Sequence, residues 1–224
     1  MIGFQILKRT RKVDARVVMQ FRDLPVANVS DSIHRMFAGG ARMKPMHKGG
    51  RMAGPALTVK TRHGDNIMVH KALDLAEPGD VLVVDAGGDL TNAIIGEIMS
   101  AYAKQRGLAG IVINGAIRDA EIIRAGTFPV FAAGVTHRGP YKDGPGEINV
   151  PIAIDGMVIQ PGDLMLGDGD GLLCVPYEAT EAVYAVASER QKIEQRDIEA
   201  SVKGTLDRAW VDVMLRKLGC ALPD

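Results

Sequence analysis

The segment GEIMSAYAKQRGLAGIVINGAIRDAEIIRAG, residues 96–126, joins a predicted helix, a predicted strand and a polar pair within one short span. Gly96 breaks a helical run, and the apolar spacing after it predicts a new helix over residues 97–106. The apolar run at 109–113 predicts a buried strand, and residues 114–116 predict a small turn after it. This order indicates an α/β fold in which a buried strand leads directly into polar residues.

Two polar residues, Arg118 and Asp119, follow the predicted turn. A helix that begins at Glu97 would present unpaired backbone N–H groups and the positive end of its dipole, which suit a carboxylate or a phosphate. The guanidinium of Arg118 offers a fixed cationic fork, and Asp119 offers a hard oxygen for a divalent cation. Together these groups predict a site for a small 2-oxo acid. The alternative is structural: a helix-capping aspartate beside a surface arginine, and a first-turn glutamate favoured by the helix dipole.

Composition limits the classes of function. The chain has 224 residues, of which 46% are hydrophobic, enough for one large domain or one domain with an extension. The formal net charge is zero, which argues against a nucleic-acid partner, and the basic residues of segment 8–12 are interpreted as a solvated end. Cys174 and Cys220 have neither metal-site nor disulfide spacing, which fits a reducing compartment. With no apolar run of membrane length and no signal-peptide core, the prediction is a cytoplasmic protein without a membrane partner.

The remaining pattern predicts an α/β sandwich with a mixed sheet, because helices and strands alternate early and strands cluster later. Ser30-Asp31 is interpreted as the cap of a helix that carries Ile33, Met36 and Phe37. The Gly-rich segment 134–147 predicts a long loop, and Gly-Asp-Gly-Asp-Gly at 167–171 predicts a hairpin turn, not a calcium loop. Further helices are predicted at 14–22, 66–75 and 120–125, and strands at 55–61, 81–84, 129–133, 152–154, 157–159, 164–166 and 172–175.

Several short motifs follow one another along most of the chain. They are VSD at 29–31, GPALTV at 54–59, GDN at 64–66, PGDVLVVD at 78–85, NGAIRD at 114–119, PGD at 161–163 and GLLCVP at 171–176. In addition, the acidic residue Glu97 is followed, after twenty residues, by Arg118 and Asp119. This spacing and the ordered set of motifs resemble those of the class II pyruvate aldolases that cleave 4-hydroxy-4-methyl-2-oxoglutarate. That family shares its fold with the regulators of ribonuclease activity A.

The resemblance implies a swivelling β/β/α sandwich domain over residues 1–176 and a C-terminal helical extension over 177–224. It implies a homotrimer or homohexamer with shared active sites. The implied reaction is divalent-metal-dependent cleavage of 4-hydroxy-4-methyl-2-oxoglutarate, or of a 4-carboxy-4-hydroxy-2-oxoadipate-like acid, to pyruvate and a second oxo acid. Oxaloacetate decarboxylation is the expected companion activity. The alternative is a non-enzymatic regulator that binds a ribonuclease or a helicase. The acid at Asp119 and the continuation of the chain after Pro176 favour the enzyme.

The same resemblance implies a role for each site residue. Asp119 would hold Mg²⁺ or Mn²⁺, and Arg118 would steady the enolate oxygen. Glu97, where the family often has aspartate, would manage a proton through a water molecule. No lysine has a good case as a Schiff-base former. The implied substrate-binding set, in which the amides of Ile98 and Met99 hold the carboxylate, is Gly96, Glu97, Ile98, Met99 and Arg118.

The C-terminal segment has an unusual pattern. Residues 178–200 begin as an amphipathic helix and become very polar from Ser188 onward, and a second helix repeats apolar residues every four positions up to a stop at Gly219. Either both helices pack across their own sheet, or they reach a neighbouring subunit. By resemblance, a glutamate of this extension completes the neighbouring site. Glu194 is the candidate catalytic residue, and Glu199 is the second choice.

Other polar residues receive no firm role from the sequence. The five histidines lack metal-ligand spacing, so each is interpreted as structural or exposed. His137 lies in the Gly-rich segment, from which it could approach a substrate. Asp65, Asn66 and Asp85 belong to motifs of the resemblance, without an assignable function.

Overall fold

The computed structural model describes residues 2–223, and its largest feature is a ten-stranded mixed sheet. The strands are β1 Phe4–Ile6, β2 Lys44–Pro45, β3 Met52–Thr61, β4 Val81–Asp85, β5 Ala93–Ile95, β6 Gly110–Ile117, β7 Val130–Val135, β8 Gly146–Ile148, β9 Ile152–Ile154, β10 Met157–Ile159, β11 Leu164–Asp168 and β12 Gly171–Val175. The helices are α1 Ala15–Phe21, α2 Val26–Ser32, α3 Ile67–Leu75, α4 Glu97–Gln105, α5 Ala120–Ala125, α6 Thr180–Val202 and α7 Ala209–Lys217, with a 3₁₀ turn at Tyr177–Ala179.

The sheet has the order β1-β8-β3-β4-β6-β7-β2, with β5 added to β6 and the β11–β12 hairpin added to β3. Strands β3, β4, β6 and β7 run parallel to one another, whereas β8 and β11 pair with β3 in the antiparallel direction. Strands β9 and β10 form a separate two-stranded sheet. The predicted α/β sandwich with a mixed sheet, the swivelling β/β/α arrangement implied by the resemblance, is therefore confirmed.

Three apolar clusters hold these layers together. One packs α3 and α4 on one face of the parallel strands and includes Val69, Leu82 and Ile111. A second packs β9 and β10 on the other face. A third joins α1, α2 and the start of α6 to the β11–β12 hairpin. Strand β4 contributes Leu82 to the first cluster and Val83 to the second, because successive side chains of a strand point to opposite faces. Residues 81–84 of this strand are all apolar and buried, as expected for a strand covered on both faces.

The helix expected after Ser30-Asp31 is not where the sequence placed it. Helix α2 starts at Val26, directly after Pro25 at the N-cap position, and ends at Ser32. The chain cannot continue the helix there because His34 and Arg35 both have positive φ, at 58° and 62°. The Ser30-Asp31 pair therefore lies at the end of a helix, and proline supplies the start.

The strand that carries the Arg-Asp pair is longer than predicted. Residues 114–116, expected as a turn, belong to β6, and the strand continues to Ile117. Gly115 permits this because a Cβ atom there would approach the Cβ of Ala86 to 3.2 Å and the carbonyl oxygen of Asp89 to 3.3 Å. The register with β7 shifts between Ile113 and Ala116. The extra strand length delivers Arg118 and Asp119 at the carboxyl end of β6, beside β5.

The two Pro-Gly-Asp turns repeat the same chemistry, as predicted. In each, the aspartate accepts a hydrogen bond from the backbone N–H three residues earlier, at 2.9 Å for Asp80 and 2.9 Å for Asp163.

The N-terminal basic segment was expected to be solvated, and for Arg9 this is wrong. The side chain of Arg9 is 9% exposed and forms two hydrogen bonds of 2.9 Å with the buried carboxylate of Asp80. A buried carboxylate requires a partner of this kind, which the sequence pattern did not indicate.

The chain divides into a compact unit that ends at Ala187 and a second unit that begins at Ser188. The first unit contains the sheet and the beginning of α6, where Val183 and Ala187 are buried. The second contains the polar remainder of α6 and helix α7, which ends at Lys217 before Gly219 with φ of 82°. The expected boundary at residue 176 stays a prediction. Within residues 2–223, no helix is long and apolar enough to span a membrane.

Candidate active site

A pocket of about 330 Å³ lies where the carboxyl ends of β5 and β6 meet the start of α4. It contains Arg118, Asp119 and the first turn of α4, which the sequence predicted to form one site. It also contains side chains that the sequence left unassigned. Its lining is Asn66, His70, Ala93, Ile94, Ile95, Gly96, Ile98, Met99, Arg118, Asp119, Gly139, Pro140 and Lys142.

The carboxylate of Asp119 is held against the start of α4. Its Oδ2 atom accepts a hydrogen bond of 2.9 Å from the backbone N–H of Glu97. Asp119 has φ of 57°, in the left-handed region, and it occupies the N-cap position of α5 without capping that helix. The structural alternative was a capping aspartate, and Asp119 does cap a helix, but the helix is α4. The bond fixes one carboxylate oxygen, and the side chain remains 40% exposed.

The side chain of Arg118 lies beside this carboxylate. Its Nε is 3.8 Å from Asp119 Oδ2, and its side chain is 44% exposed. A Cβ atom built on Gly139 would lie 3.4 Å from the Arg118 Nη1 atom, so the loop after β7 comes close to the guanidinium. The arrangement places a cationic fork and a carboxylate side by side at one pocket wall. Such a pair can bind an oxygen anion and a cation at the same time.

Gly96 is required by this geometry. A Cβ atom at residue 96 would lie 2.3 Å from Asp119 Oδ2 and 3.0 Å from Arg118 Cγ, although the backbone there is extended and open to any residue. Glycine thus allows the carboxylate and the guanidinium to reach the helix start. The sequence predicted Gly96 as a break between elements, and the structure gives it this second function.

Gly96→Ala is expected to lower the catalytic rate of the protein by about 10²-fold, because a displacement of about 1 Å costs that much at a positioned catalytic group. Thermal unfolding should change little, since α4 can still form. The matched control is Gly126→Ala, where the added Cβ would meet its nearest neighbour, Ile123 O, at 3.4 Å. Equal activity of the Gly96→Ala variant and the control would show that the close approach is unimportant.

The first turn of α4 lies at the pocket, where the sequence predicted an anion cradle. Ile98 and Met99 occupy its second and third positions, where a helix has no internal acceptor for the backbone N–H. Both residues line the pocket, and Ile98 is 80% exposed. These amides and the positive end of the helix dipole suit a carboxylate.

The side chain of Glu97 is placed apart from these groups. Its backbone N–H contacts Asp119, but Glu97 lines a different pocket of about 180 Å³ with Ser100 and Lys104. The structure therefore brings Gly96, Ile98 and Met99 to the pocket with the Arg-Asp pair, and leaves Glu97 at its edge.

Three polar residues of the pocket received no functional role from the sequence. Asn66 and His70 lie one turn apart at the start of α3, and Lys142 comes from the Gly-rich segment. Burial, followed by the positive charge of Lys142, lowers the pKa of His70 below its ordinary value, with Asp74 acting in the opposite direction. The imidazole is therefore neutral at neutral pH. The i, i+4 spacing of Asn66 and His70 was a signal in the sequence that they share a helix face.

Asn66 carries an unused acceptor. Its side chain is buried, and Nδ2 donates to Ile94 O at 2.9 Å and to Met99 Sδ at 3.4 Å. Because these partners accept, the amide orientation is fixed. Its Oδ1 has no hydrogen-bond partner among residues 2–223. A buried amide oxygen of this kind is suited to a donor on a ligand or water in the pocket.

The remaining motif residues have structural contacts. Asp65 Oδ2 accepts the backbone N–H groups of Asp143 and Gly144, at 2.7 and 2.9 Å, and so shapes the Gly-rich segment. That segment was predicted as loop throughout, but it also contains the end of β7 and the start of β8. Asp85 Oδ1 accepts from Asn114 Nδ2 at 3.0 Å.

His137 is close to the Arg-Asp pair without lining the main pocket. It lines an adjacent pocket of about 290 Å³ together with Val135, Thr136 and the Arg-Asp pair. That pocket lies beside the end of β7.

The donor set fits a sparsely coordinated divalent cation. Among residues 2–223 there is no group of three or more His, Cys, Asp or Glu side chains that could hold a metal ion. Mg²⁺ commonly keeps several waters and binds through one or two carboxylates plus substrate oxygens. Asp119 offers one hard oxygen beyond its bond to α4, and its exposed side chain leaves space for water and substrate. The pocket therefore suits a cation such as Mg²⁺ or Mn²⁺, which can take most of its ligands from water and substrate. It suits less well a metal ion that needs a full set of protein ligands.

Glu194 and Glu199 lie in the second unit, on α6. Glu194 Oε1 is 3.9 Å from Arg190 Nη1, and Glu199 Oε2 is 3.9 Å from Lys203 Nζ. The expected contribution of either residue to a neighbouring site stays a prediction.

The fold and pocket define an α/β protein whose site combines a helix start, a guanidinium and a carboxylate for a small anionic ligand. A family profile described as RraA-like, Aldolase/RraA, matches residues 26–174. A protein of Halalkalibacterium halodurans is 39% identical over 203 residues, covering 88% of this chain and 95% of that protein. It carries the name 4-hydroxy-4-methyl-2-oxoglutarate aldolase in provisional form. The chain belongs to the RraA-like family, and the resemblance stated from the sequence is confirmed.

Other relatives carry two kinds of name. A 4-hydroxy-4-methyl-2-oxoglutarate aldolase of Thermus thermophilus is 38% identical over 126 residues, 56% of this chain and 76% of that protein. The structure titled RNA-processing inhibitor RraA, also from Thermus thermophilus, superposes with a TM-score of 0.64 at 34% identity, covering 69% of this chain and 93% of that one. Streptomyces coelicolor RraAS2, titled an unusual member of the RNase ES inhibitor family, gives a TM-score of 0.74 at 28% identity and covers 83% and 96%.

Proposed function

We propose that this protein is a divalent-cation-dependent aldolase that cleaves 4-hydroxy-4-methyl-2-oxoglutarate, or a 4-carboxy-4-hydroxy-2-oxoadipate-like acid, to pyruvate and a second oxo acid. The observation that carries the proposal is the close approach of Asp119 and Arg118 to the start of α4, which Gly96 makes possible. The names of the aldolase relatives support the reaction class. Oxaloacetate decarboxylation is the expected side activity, because it passes through the same pyruvate enolate.

Each residue has a defined task in this proposal. The amides of Ile98 and Met99 bind the substrate carboxylate at the helix start. Arg118 donates hydrogen bonds to the 2-oxo oxygen and stabilises its negative charge as the carbon–carbon bond breaks. Asp119 would hold Mg²⁺ or Mn²⁺, and the bound cation supplies Lewis-acid stabilisation of that charge. Glu97, through a water molecule, would deliver the proton that converts the enolate to pyruvate.

The experiment that tests this function is a pyruvate-release assay with Mg²⁺ over a panel of 4-hydroxy-2-oxo acids that differ at C4. Turnover of at least one acid with a carboxylate beyond C4 is expected, together with CO₂ release from oxaloacetate. A protein that releases no pyruvate from any member of the panel is not an aldolase of this class.

A regulator of ribonuclease or helicase activity is the second candidate. The RraA structures support it, because proteins named as inhibitors of RNA processing and of RNase ES share this fold at 34% and 28% identity. Asp119 favours the enzyme, since a regulator needs no carboxylate held beside a guanidinium. Ribonuclease assays with the wild-type protein and with Arg118→Ala distinguish the two: inhibition by both proteins, without pyruvate release, would support the regulator.

We further propose that the active sites are shared between subunits of a homotrimer or homohexamer, with Glu194 completing the neighbouring site and Glu199 as the alternative. Most side chains of α6 after Ser188 are polar, which supports a position of this segment on the surface of its own chain, where it could reach a neighbouring subunit.

Mixing inactive Arg118→Ala subunits with inactive Glu194→Ala subunits should restore part of the activity, because some mixed sites contain both native residues. Unmixed variants are the controls, and subunit exchange is verified by mass spectrometry. Exchange without any recovery would exclude Glu194 as a residue acting in the neighbouring site, and the same mixture with Glu199→Ala then tests the alternative.

A further inference from the structure

Cleavage of a 4-hydroxy-2-oxo acid requires a base that the residues assigned above do not provide. The proton of the 4-hydroxyl must leave as the bond between C3 and C4 breaks. Asp119 accepts the Glu97 amide and would hold the cation, and Arg118 is a donor without acceptor capacity. The side chain of Glu97 lines another pocket and is assigned to the proton at C3.

We propose that His70 is the general base that removes the proton of the substrate's 4-hydroxyl. This inference rests on the proposed aldolase function and adds a catalytic residue to it. His70 lines the same pocket as Arg118 and Asp119, and no sequence motif assigned it a task.

The position of His70 in the pocket supports this role. Arg118 and Asp119 also line the pocket beside the end of β7, whereas His70 also lines a groove of about 620 Å³ beside β1. Since β1 and β7 lie toward opposite edges of the sheet, the Arg-Asp pair and His70 bound the main pocket from different sides. In this proposal the 2-oxo group of the substrate binds at Arg118 and its C4 end lies across the pocket, toward His70.

The neighbouring groups leave the imidazole able to accept a proton. The charges that act on His70 are those of Asp74, on its own helix, and Lys142, in the Gly-rich segment, and Lys71 lines the same groove as His70. Asp74 is in turn bound by the hydroxyl of Tyr102 on α4 at 3.3 Å. Burial and Lys142 lower the pKa of His70, so the neutral, basic form is present at neutral pH.

Asn66 gives an independent sign that this part of the pocket receives a ligand. It lies one turn before His70, and its buried Oδ1 has no partner among the residues that the structure describes. Asn66 thus puts an unpaired acceptor at the pocket wall one turn from His70, and a donor on a substrate or a water would satisfy it.

The step is balanced without any co-reactant. A nitrogen of His70 takes the hydroxyl proton, the O–H electron pair becomes the new C4 carbonyl bond, and the C3–C4 bond breaks. The electron pair of that bond forms the pyruvate enolate, which takes a proton at C3 from the water held by Glu97. His70 then releases the hydroxyl proton to solvent, from which Glu97 and its water are reprotonated, so that no net proton is gained or lost. Decarboxylation of oxaloacetate also breaks a C3–C4 bond and forms the same enolate, but it releases CO₂ and has no hydroxyl proton to remove.

This difference provides the test. His70→Gln should lower kcat for cleavage of the 4-hydroxy-2-oxo acid by about 10²–10⁴-fold, the usual contribution of a general base. Oxaloacetate decarboxylation and exchange of the pyruvate methyl protons should remain close to the wild-type rates, because neither reaction needs this base. His63→Gln, which changes an exposed histidine outside the pocket, is the matched control and should leave all three reactions unchanged.

The possible outcomes separate the two proposals. Equal loss of all three reactions in His70→Gln would mean that His70 only shapes the pocket, and unchanged aldol cleavage would exclude it as the base. If this variant does not fold, His70→Asn gives the same comparison with a shorter amide. A wild-type protein that decarboxylates and exchanges protons but cleaves no hydroxy acid would contradict the proposed aldolase function itself.

Discussion

Arg118→Ala is expected to lower kcat for pyruvate release by about 10²–10³-fold, the usual cost of removing one donor to a developing oxyanion. Its guanidinium lies beside Asp119 at the pocket wall, where the 2-oxo oxygen would gain negative charge. Arg118→Lys should recover little, because a single ammonium cannot reproduce the planar fork. Steady-state kinetics with a coupled pyruvate assay measures both variants.

The control for this substitution is Arg124→Ala, which removes an exposed arginine from the last turn of α5. It should retain wild-type turnover and thermal stability. Near-normal turnover of Arg118→Ala would show that another group stabilises the enolate, and the proposed division of tasks in the pocket would be wrong.

Removal of divalent cations is expected to abolish pyruvate release, and added Mg²⁺ or Mn²⁺ should restore it. The reason is that Asp119 places a hard oxygen in the pocket beside Arg118, and no sequence motif singles out a lysine as a Schiff-base former. The measurement is the rate after dialysis against EDTA, followed by titration with each cation. An apo protein that still unfolds cooperatively serves as the control for loss of the fold.

Two results would contradict cation dependence. One is full turnover in EDTA, and the other is covalent trapping of the substrate on a lysine by borohydride. Lys142 lines the pocket and is the side chain on which such trapping would be sought first.

Local patterns predicted most of the fold because each depended on residues close in sequence. The helix that begins at Glu97 and the apolar strand predicted at 81–84 appear as expected, the strand being one residue longer, to Asp85. The Pro-Gly-Asp turns also appear, since proline, glycine and aspartate fix a turn by their own chemistry.

The errors occurred where distant residues decided the outcome. Residues 114–116 look like a turn, but pairing of β6 with β5 and β7 keeps them extended. The Ser30-Asp31 pair is a local exception, because it looks like a helix start although the helix begins at Val26, after Pro25, and ends at Ser32. Arg9 looks solvated, but Asp80, seventy-one residues away, is buried and accepts its two hydrogen bonds.

The candidate site shows the same limit. The Arg-Asp pair and the start of α4 were found because a motif carries them. The requirement for glycine at residue 96 depends on a distance of 2.3 Å between a Cβ atom and Asp119 Oδ2, which no pattern contains. His70, Asn66 and Lys142 join the pocket through the packing of α3 and the Gly-rich segment, so their shared position emerged from the structure.

The most direct test of the central claim compares the wild-type protein with Asp119→Asn in pyruvate release from 4-hydroxy-4-methyl-2-oxoglutarate with saturating Mg²⁺. Asparagine keeps an oxygen that can accept the Glu97 N–H, so α4 keeps its cap while the negative charge is lost. The predicted result is cation-dependent turnover by the wild-type protein and its near-complete loss in the variant, with unchanged thermal stability. Equal turnover by the two proteins would contradict the claim that Asp119 holds the cation at an aldolase site.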